Sequence, residues 1–120
     1  MRQPLVAGNW KMNGSRDSVK ALLDGLKAGI STVTTAEVAV CCPHAYLGDV
    51  QNSLNGSAVA WGGQDISIHD SGAYTGETPG SMLTDFGAKF VIIGHSERRQ
   101  YHGETDQQVA ENSQLRVKTV

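Results

Sequence analysis

The chain is poor in cysteine, proline and aromatic residues and nearly balanced in charge, and each shortage closes off a class of protein. Its 120 residues contain 2 cysteines, Cys41 and Cys42, adjacent in sequence. A disulfide needs its Cα atoms ~4.4–6.8 Å apart with a fixed dihedral, so neighbouring cysteines bridge only under strain. They read as reduced thiols of a cytoplasmic protein. Together with His44 they offer three metal ligands, but no second ligand pair stands at finger-like spacing, so no metal site is expected. Lys and Arg total 10 against 12 Asp and Glu, a net charge of −2. No basic excess exists to neutralise a phosphate backbone, which argues against nucleic acid as a partner. No apolar run approaches the ~18 residues of a membrane helix, and Met1-Arg2-Gln3-Pro4 lacks the apolar stretch of a secretory signal. Neither G-x-G-x-x-G nor G-x-x-x-x-G-K-[ST] occurs, nor does the nucleophile-elbow pattern G-x-S-x-G. What is abundant is glycine, 14 residues of 120, against an ordinary share of about 7%. At 12.8 kDa the chain has room for one domain.

Short apolar runs recur at Leu5-Val6-Ala7, Val38-Ala39-Val40-Cys41, Ala58-Val59-Ala60-Trp61 and Phe90-Val91-Ile92-Ile93. None alternates apolar with polar, so all read as strands buried on both faces, the habit of parallel sheets. Helical patterns lie between and after them. Val19, Leu22, Leu23, Leu26 and Ile30 form one stripe behind a Ser15 N-cap. Leu47, Val50 and Leu54 form a second. Thr78-Pro79 reads as N-cap and first helical residue ahead of Met82, Leu83 and Phe86, closed by Gly87. Thr105 and Gln108 have capping-box spacing before a last helix containing Val109. Strand and helix thus alternate through four units, which predicts a parallel α/β sheet with right-handed crossovers.

Polar side chains follow the end of each strand: Asn9, Trp10 and Lys11; then Pro43 and His44; then Gln64 and Asp65; then His95, Ser96, Glu97, Arg98 and Arg99. In parallel α/β folds, ligands bind at that carboxyl rim. Each residue alone could be a solvated loop position. A lysine, a histidine and a glutamate on one rim are harder to dismiss.

Ala7-Gly8-Asn9-Trp10-Lys11-Met12-Asn13 and Val91-Ile92-Ile93-Gly94-His95-Ser96-Glu97-Arg98-Arg99 resemble the first-strand and fourth-strand signatures of the triosephosphate isomerase family. Ala73-Tyr74-Thr75-Gly76-Glu77 resembles its third, subunit-bridging loop, and the likeness runs from about Arg2 to Val109. The resemblance implies a (β/α)8 TIM barrel, of which residues 1–120 are the N-terminal part, about four β/α units or half a barrel. It implies a cytoplasmic, cofactor-free isomerase of glycolysis and gluconeogenesis. That enzyme interconverts dihydroxyacetone phosphate and glyceraldehyde 3-phosphate through an enediolate, and is normally a homodimer. In this family a glutamate serves as base, a neutral histidine as electrophile, and a loop closes over the site. By the motifs, His95 would donate to the substrate oxygens and Lys11 would supply a cation. Asn9 would position the substrate, Glu97 would hold Lys11, and Ser96 would bond within the His95 network. A helix starting beside His95 would favour its neutral ring. Tyr74, Thr75, Gly76 and Glu77 would contact a second subunit, the alternative being an exposed glycine-rich tip. For Glu97 the alternative is a salt bridge to Arg98 or Arg99. His44, His69 and His102 sit in no matching motif and read as ordinary histidines.

The sequence departs from the family at several places. Asp65 stands where Asn is common, and Cys41-Cys42-Pro43 and Thr78-Pro79-Gly80 are unusual. The segment from Glu111 to Val120 matches the fourth helix poorly and stops, on this reading, before a fifth strand. The family's general-base glutamate, its closing loop and its phosphate-binding amides would all follow later. A full barrel takes ~250 residues. Four units would leave strands one and four as open edges, so the chain either belongs to a longer enzyme or associates into a dimer or larger. A non-catalytic half-barrel assembly, or a module binding a phosphorylated ligand, is the alternative to the isomerase.

Overall fold

The computed structural model describes residues 3–113 and 118–120. The elements are β1 (Leu5–Asn9), α1 (Arg16–Gly29), β2 (Glu37–Cys41), α2 (Leu47–Leu54), β3 (Val59–Gly63), α3 (Gly80–Asp85), β4 (Phe90–Val91), α4 (Ser96–His102), α5 (Asp106–Ser113) and β5 (Lys118–Thr119). The strands lie in chain order, each parallel to the next. They curl into a partial barrel. The order follows from the alternation of apolar runs and helical stripes, because each helix must return the chain to the same end of the sheet.

Helix α1 begins as its sequence predicts. Ser15 accepts the Ser18 N–H, and the Ser18 hydroxyl accepts the Ser15 N–H in return. Val19 and Leu23 bury fully, whereas Leu22, expected in the same buried stripe, is 51% exposed. Leu47, Val50 and Leu54 of α2 are all buried against Val40, Val59 and Trp61 in one core. Trp61 closes that core by donating its Nε1–H to the Phe86 carbonyl at 2.7 Å. Gly87 is required beside it: its φ is +73°, and a Cβ there would meet the indole at 2.8 Å. Gly62 is required for another reason, since a Cβ would sit 1.9 Å from the Phe90 carbonyl oxygen across the β3–β4 pair.

Four expectations need correction. A fifth strand exists: the Lys118 N–H donates to the Lys89 carbonyl and the Val120 N–H to the Val91 carbonyl, at 3.2 and 2.9 Å. The open edges are therefore β1 and β5, not β1 and β4. The first apolar run is not buried on both faces. Leu5 is 38% and Val6 59% exposed, because β1 pairs only with β2 among the described residues. Thr78 caps no helix. Pro79 takes that position, α3 starts at Gly80, and the Thr78 hydroxyl instead meets His44 Nδ1 at 3.0 Å. In this six-residue helix only Leu83 buries, with Met82 left 52% exposed and Phe86, just past its end, 42% exposed.

Cys41 and Cys42 are both free and fully buried. Loss of hydration pushes their thiols up to about 11 and about 12. A disulfide-exchange reagent near pH 8 should label neither thiol in the folded chain and both after denaturation. Rapid labelling of the native chain would contradict this packing.

Candidate active site

The chain leaves β1 through a strained turn. Lys11 has φ +55°, and no other non-glycine residue among those described has a positive φ. A side chain in that region costs energy that surrounding contacts must offset. The Lys11 N–H donates to Asn9 Oδ1 at 2.9 Å. Gln64, just past β3, points its amide at the same turn. Its Nε2 lies 2.8 Å from the Lys11 carbonyl, 3.2 Å from the Cys41 carbonyl and 3.4 Å from Asn9 Oδ1.

Across the rim the Lys11 ammonium donates to Glu97 Oε1 at 2.8 Å. Both side chains are about half-exposed. The bond to Lys11, followed by the charge of that ammonium, holds the Glu97 carboxyl below the usual carboxylate range. Glu97 lies in the first turn of α4, where a negative charge also suits the helix dipole. His95 is the N-cap of that helix, and its Nδ1 accepts the Glu97 backbone N–H at 3.1 Å. An accepting Nδ1 carries no proton, so the hydrogen-bond network assigns the neutral tautomer with its proton on Nε2. Glu97 Oε2 stays 3.6 Å from Nδ1, too far for a hydrogen bond. Ser96 is exposed, and among the described residues its hydroxyl does not bond to His95. The Nδ1 position where such a bond could form is taken by the Glu97 amide.

Glu97 does not pair with either arginine. Arg98 bridges Asp65 Oδ2 at 3.1 Å and Glu104 Oε2 at 3.0 Å. Arg99 donates to the Gly94 carbonyl and pairs with Asp106. Burial, with Glu104 adding to it against the opposing pull of Arg98, raises the Asp65 carboxyl above its ordinary value. His44 is half-buried, and its Nε2 has no hydrogen-bond partner. Burial, aided by the charge of Arg98, keeps this ring's pKa low.

These groups line a cavity of about 650 Å³ that takes in Asn9, Lys11, His44, Gln64, Asp65, His95, Glu97 and Arg98. The loop expected to meet a second subunit lies at its margin. Gly76 touches the cavity, while Tyr74, Thr75 and Glu77 do not line it. Tyr74 stacks on His69 with centroids 3.7 Å apart, and the Ser67 hydroxyl donates to Glu77 Oε1 at 2.6 Å. The Glu77 N–H closes a turn onto the Tyr74 carbonyl at 3.0 Å. Thr75 is left exposed at the tip.

The family model for triosephosphate isomerase matches residues 4–119. The chain belongs to the triosephosphate isomerase family. It is 56% identical over 113 residues to the triosephosphate isomerase of Nitrosococcus oceani, covering 94% of this chain and 45% of that protein. The triosephosphate isomerase of Dechloromonas aromatica is 58% identical over 106 residues, 88% of this chain and 42% of the relative. That of Coxiella burnetii is 54% identical over 109 residues, 91% and 43%. The chain thus spans a little under half the length of the curated relatives it matches. The family match reaches residue 119, so the likeness extends past Val109, where the sequence reading ended it. Within the triosephosphate isomerase motifs, that reading singled out Lys11, His95 and Glu97. It treated Gln64 as a rim residue only, noted Asp65 as a rim residue standing where the family commonly has Asn, and gave Glu104 no role.

Asp65 supplies a test of the arginine cluster. Its carboxyl holds its proton more tightly in the folded chain than in the unfolded one. Its contribution to stability is therefore fully present below the unfolded pKa and is lost as pH rises through the raised native value. Asp65→Asn should accordingly melt a few degrees higher than the unsubstituted chain near pH 7, with the gap closing towards pH 4 (about 1 kcal/mol corresponds to ~4–8 °C at this size). A lower melting temperature at pH 7 would mean that the Arg98 pair outweighs the cost of burial.

Proposed function

We propose that this chain carries the electrophilic side of a triosephosphate isomerase site. The carrying observation is Lys11 held by Glu97 at 2.8 Å beside a His95 whose Nδ1 is already occupied. Interconversion of dihydroxyacetone phosphate and glyceraldehyde 3-phosphate passes through an enediolate, whose charge rests on two oxygens. Fixed donors and a nearby cation stabilise such charge without reorganising. On this reading His95 donates from Nε2 to those oxygens as a neutral ring, and Lys11 faces the anionic substrate. Asn9 Oδ1 is engaged by the Lys11 N–H, which leaves its amide hydrogens to position the substrate. Glu97 keeps the ammonium extended over the site. No cofactor takes part.

Residues 1–120 form the N-terminal part of the barrel domain. The abstracting glutamate and the phosphate-gripping amides of the family come from chain that follows its fifth strand. The loop Tyr74–Glu77, ordered at its base and exposed at Thr75, meets a second copy in a cytoplasmic homodimer. Among the described residues no helix is long and apolar enough to cross a membrane. A second reading, a half-barrel that binds a phosphorylated ligand or assembles without turning it over, is favoured by the exposed Leu5 and Val6 on the open β1 edge.

An isomerase assay on the 120-residue polypeptide separates the two. Turnover that falls by roughly 10²–10³ in His95→Ala would sink the non-catalytic reading. Binding of a phosphorylated triose analogue with no turnover would sink the claim that these residues are themselves an enzyme.

A further inference from the structure

We infer that Gln64 is a positioning residue for Lys11: its side-chain amide clamps the lysine's left-handed backbone and so aims the ammonium at Glu97 and the cavity. The inference rests on reading Lys11 as the substrate-facing cation. Three observations meet at this one side chain. Lys11 occupies a φ of +55°, which a glycine would adopt freely and a lysine adopts only under constraint. A lysine there means the ammonium is needed at a place the relaxed backbone would not put it. The constraint must then come from partners that reach the turn.

Gln64 Nε2 is such a partner. The nitrogen carries two hydrogens, and its two shortest contacts are the Lys11 carbonyl at 2.8 Å and the Cys41 carbonyl at 3.2 Å. Cys41 ends β2, and the Trp10 N–H donates to the same carbonyl at 3.0 Å. The amide therefore ties the turn after β1 to the end of β2 from a base just past β3. Asn9 completes the clamp by accepting the Lys11 N–H. Both polar groups of the Lys11 peptide backbone are held, one by Asn9 and one by Gln64. Gln64 is half-buried, so water competes poorly for these bonds. Released from them, Lys11 would relax towards negative φ, and its side chain would leave by a different direction from the one that reaches Glu97, 86 residues away.

The test uses Gln64→Ala and Gln64→Met, the second keeping the length and packing of the side chain while removing both donors. Each is compared with the unsubstituted chain by thermal melting and by NMR at Lys11. A positive φ gives a short distance between a residue's own amide hydrogen and Hα, and the Lys11 ammonium resonance reports the Glu97 contact. The expected result is cooperative melting in Gln64→Met with loss of the short distance and of the ammonium contact. Retention of both in a folded variant would overturn the assignment. The unsubstituted chain gives an independent reading should neither variant fold: a Gln64 side-chain amide proton should exchange slowly and couple to the Lys11 carbonyl carbon, and fast exchange of both protons would refute the clamp. None of these readouts needs turnover. If the Lys11 backbone shifts as expected while the unsubstituted chain binds no phosphorylated triose analogue, the substrate-facing reading fails and the positioning role stands. If the analogue does bind, Gln64→Met should weaken it by roughly tenfold to a hundredfold, and undiminished affinity would overturn the aim attributed to the clamp.

Discussion

One ammonium–carboxylate contact, Lys11 to Glu97 at 2.8 Å, organises this molecule's rim. It joins the turn after β1 to the first turn of α4. Exposed on both sides, it stabilises the fold little. Its importance is geometric, because it exists only if β1 and β4 end at the same edge of the sheet. The parallel pairing of β1 through β4 meets that condition. The same pairing brings His95, Asn9 and Gln64 to the edge. A register slip in any pair would displace the end of one strand relative to its neighbours and separate the lysine from the glutamate.

Around that contact, charges sort into two groups that do not mix. Lys11, Glu97 and His95 stay partly open to the cavity. Arg98, Asp65 and Glu104 form a more buried layer beside them. Arg98 is adjacent to Glu97 in sequence, but α4 turns the two side chains in different directions, so the guanidinium is saturated by two other carboxylates. This separation leaves the Glu97 carboxylate to Lys11. It also places two carboxyl groups beside one guanidinium, and burial first, with the Glu104 charge adding to it, raises the Asp65 carboxyl above its usual range.

Much of the scaffold was legible because it depends on local chemistry. The Ser15 cap and the Leu47, Val50 and Leu54 stripe are set by neighbours within a turn or two. Three of the misreadings share one physical cause, dependence on partners distant in sequence. Thr78 looks like a cap, yet its hydroxyl finds His44, 34 residues away. Lys118 and Thr119 carry no apolar pattern, and their strand exists only through pairing with β4. Leu5 and Val6 read as a core strand, but burial on both faces needs neighbours that the described residues do not supply to β1. At the rim, the motifs picked out His95, Lys11 and Glu97, which the structure brings to one cavity. Gln64 was not, since its meaning lies in carbonyls from the ends of two other strands.

The central claim is that this rim presents a neutral His95, its Nδ1 occupied from within α4 and its Nε2–H free to donate, beside a lysine held by Glu97. The most direct measurement is the nitrogen NMR spectrum of the His95 ring near neutral pH. The account predicts an unprotonated Nδ1 and a protonated Nε2. A proton on Nδ1, shared with the Glu97 carboxylate, would contradict it.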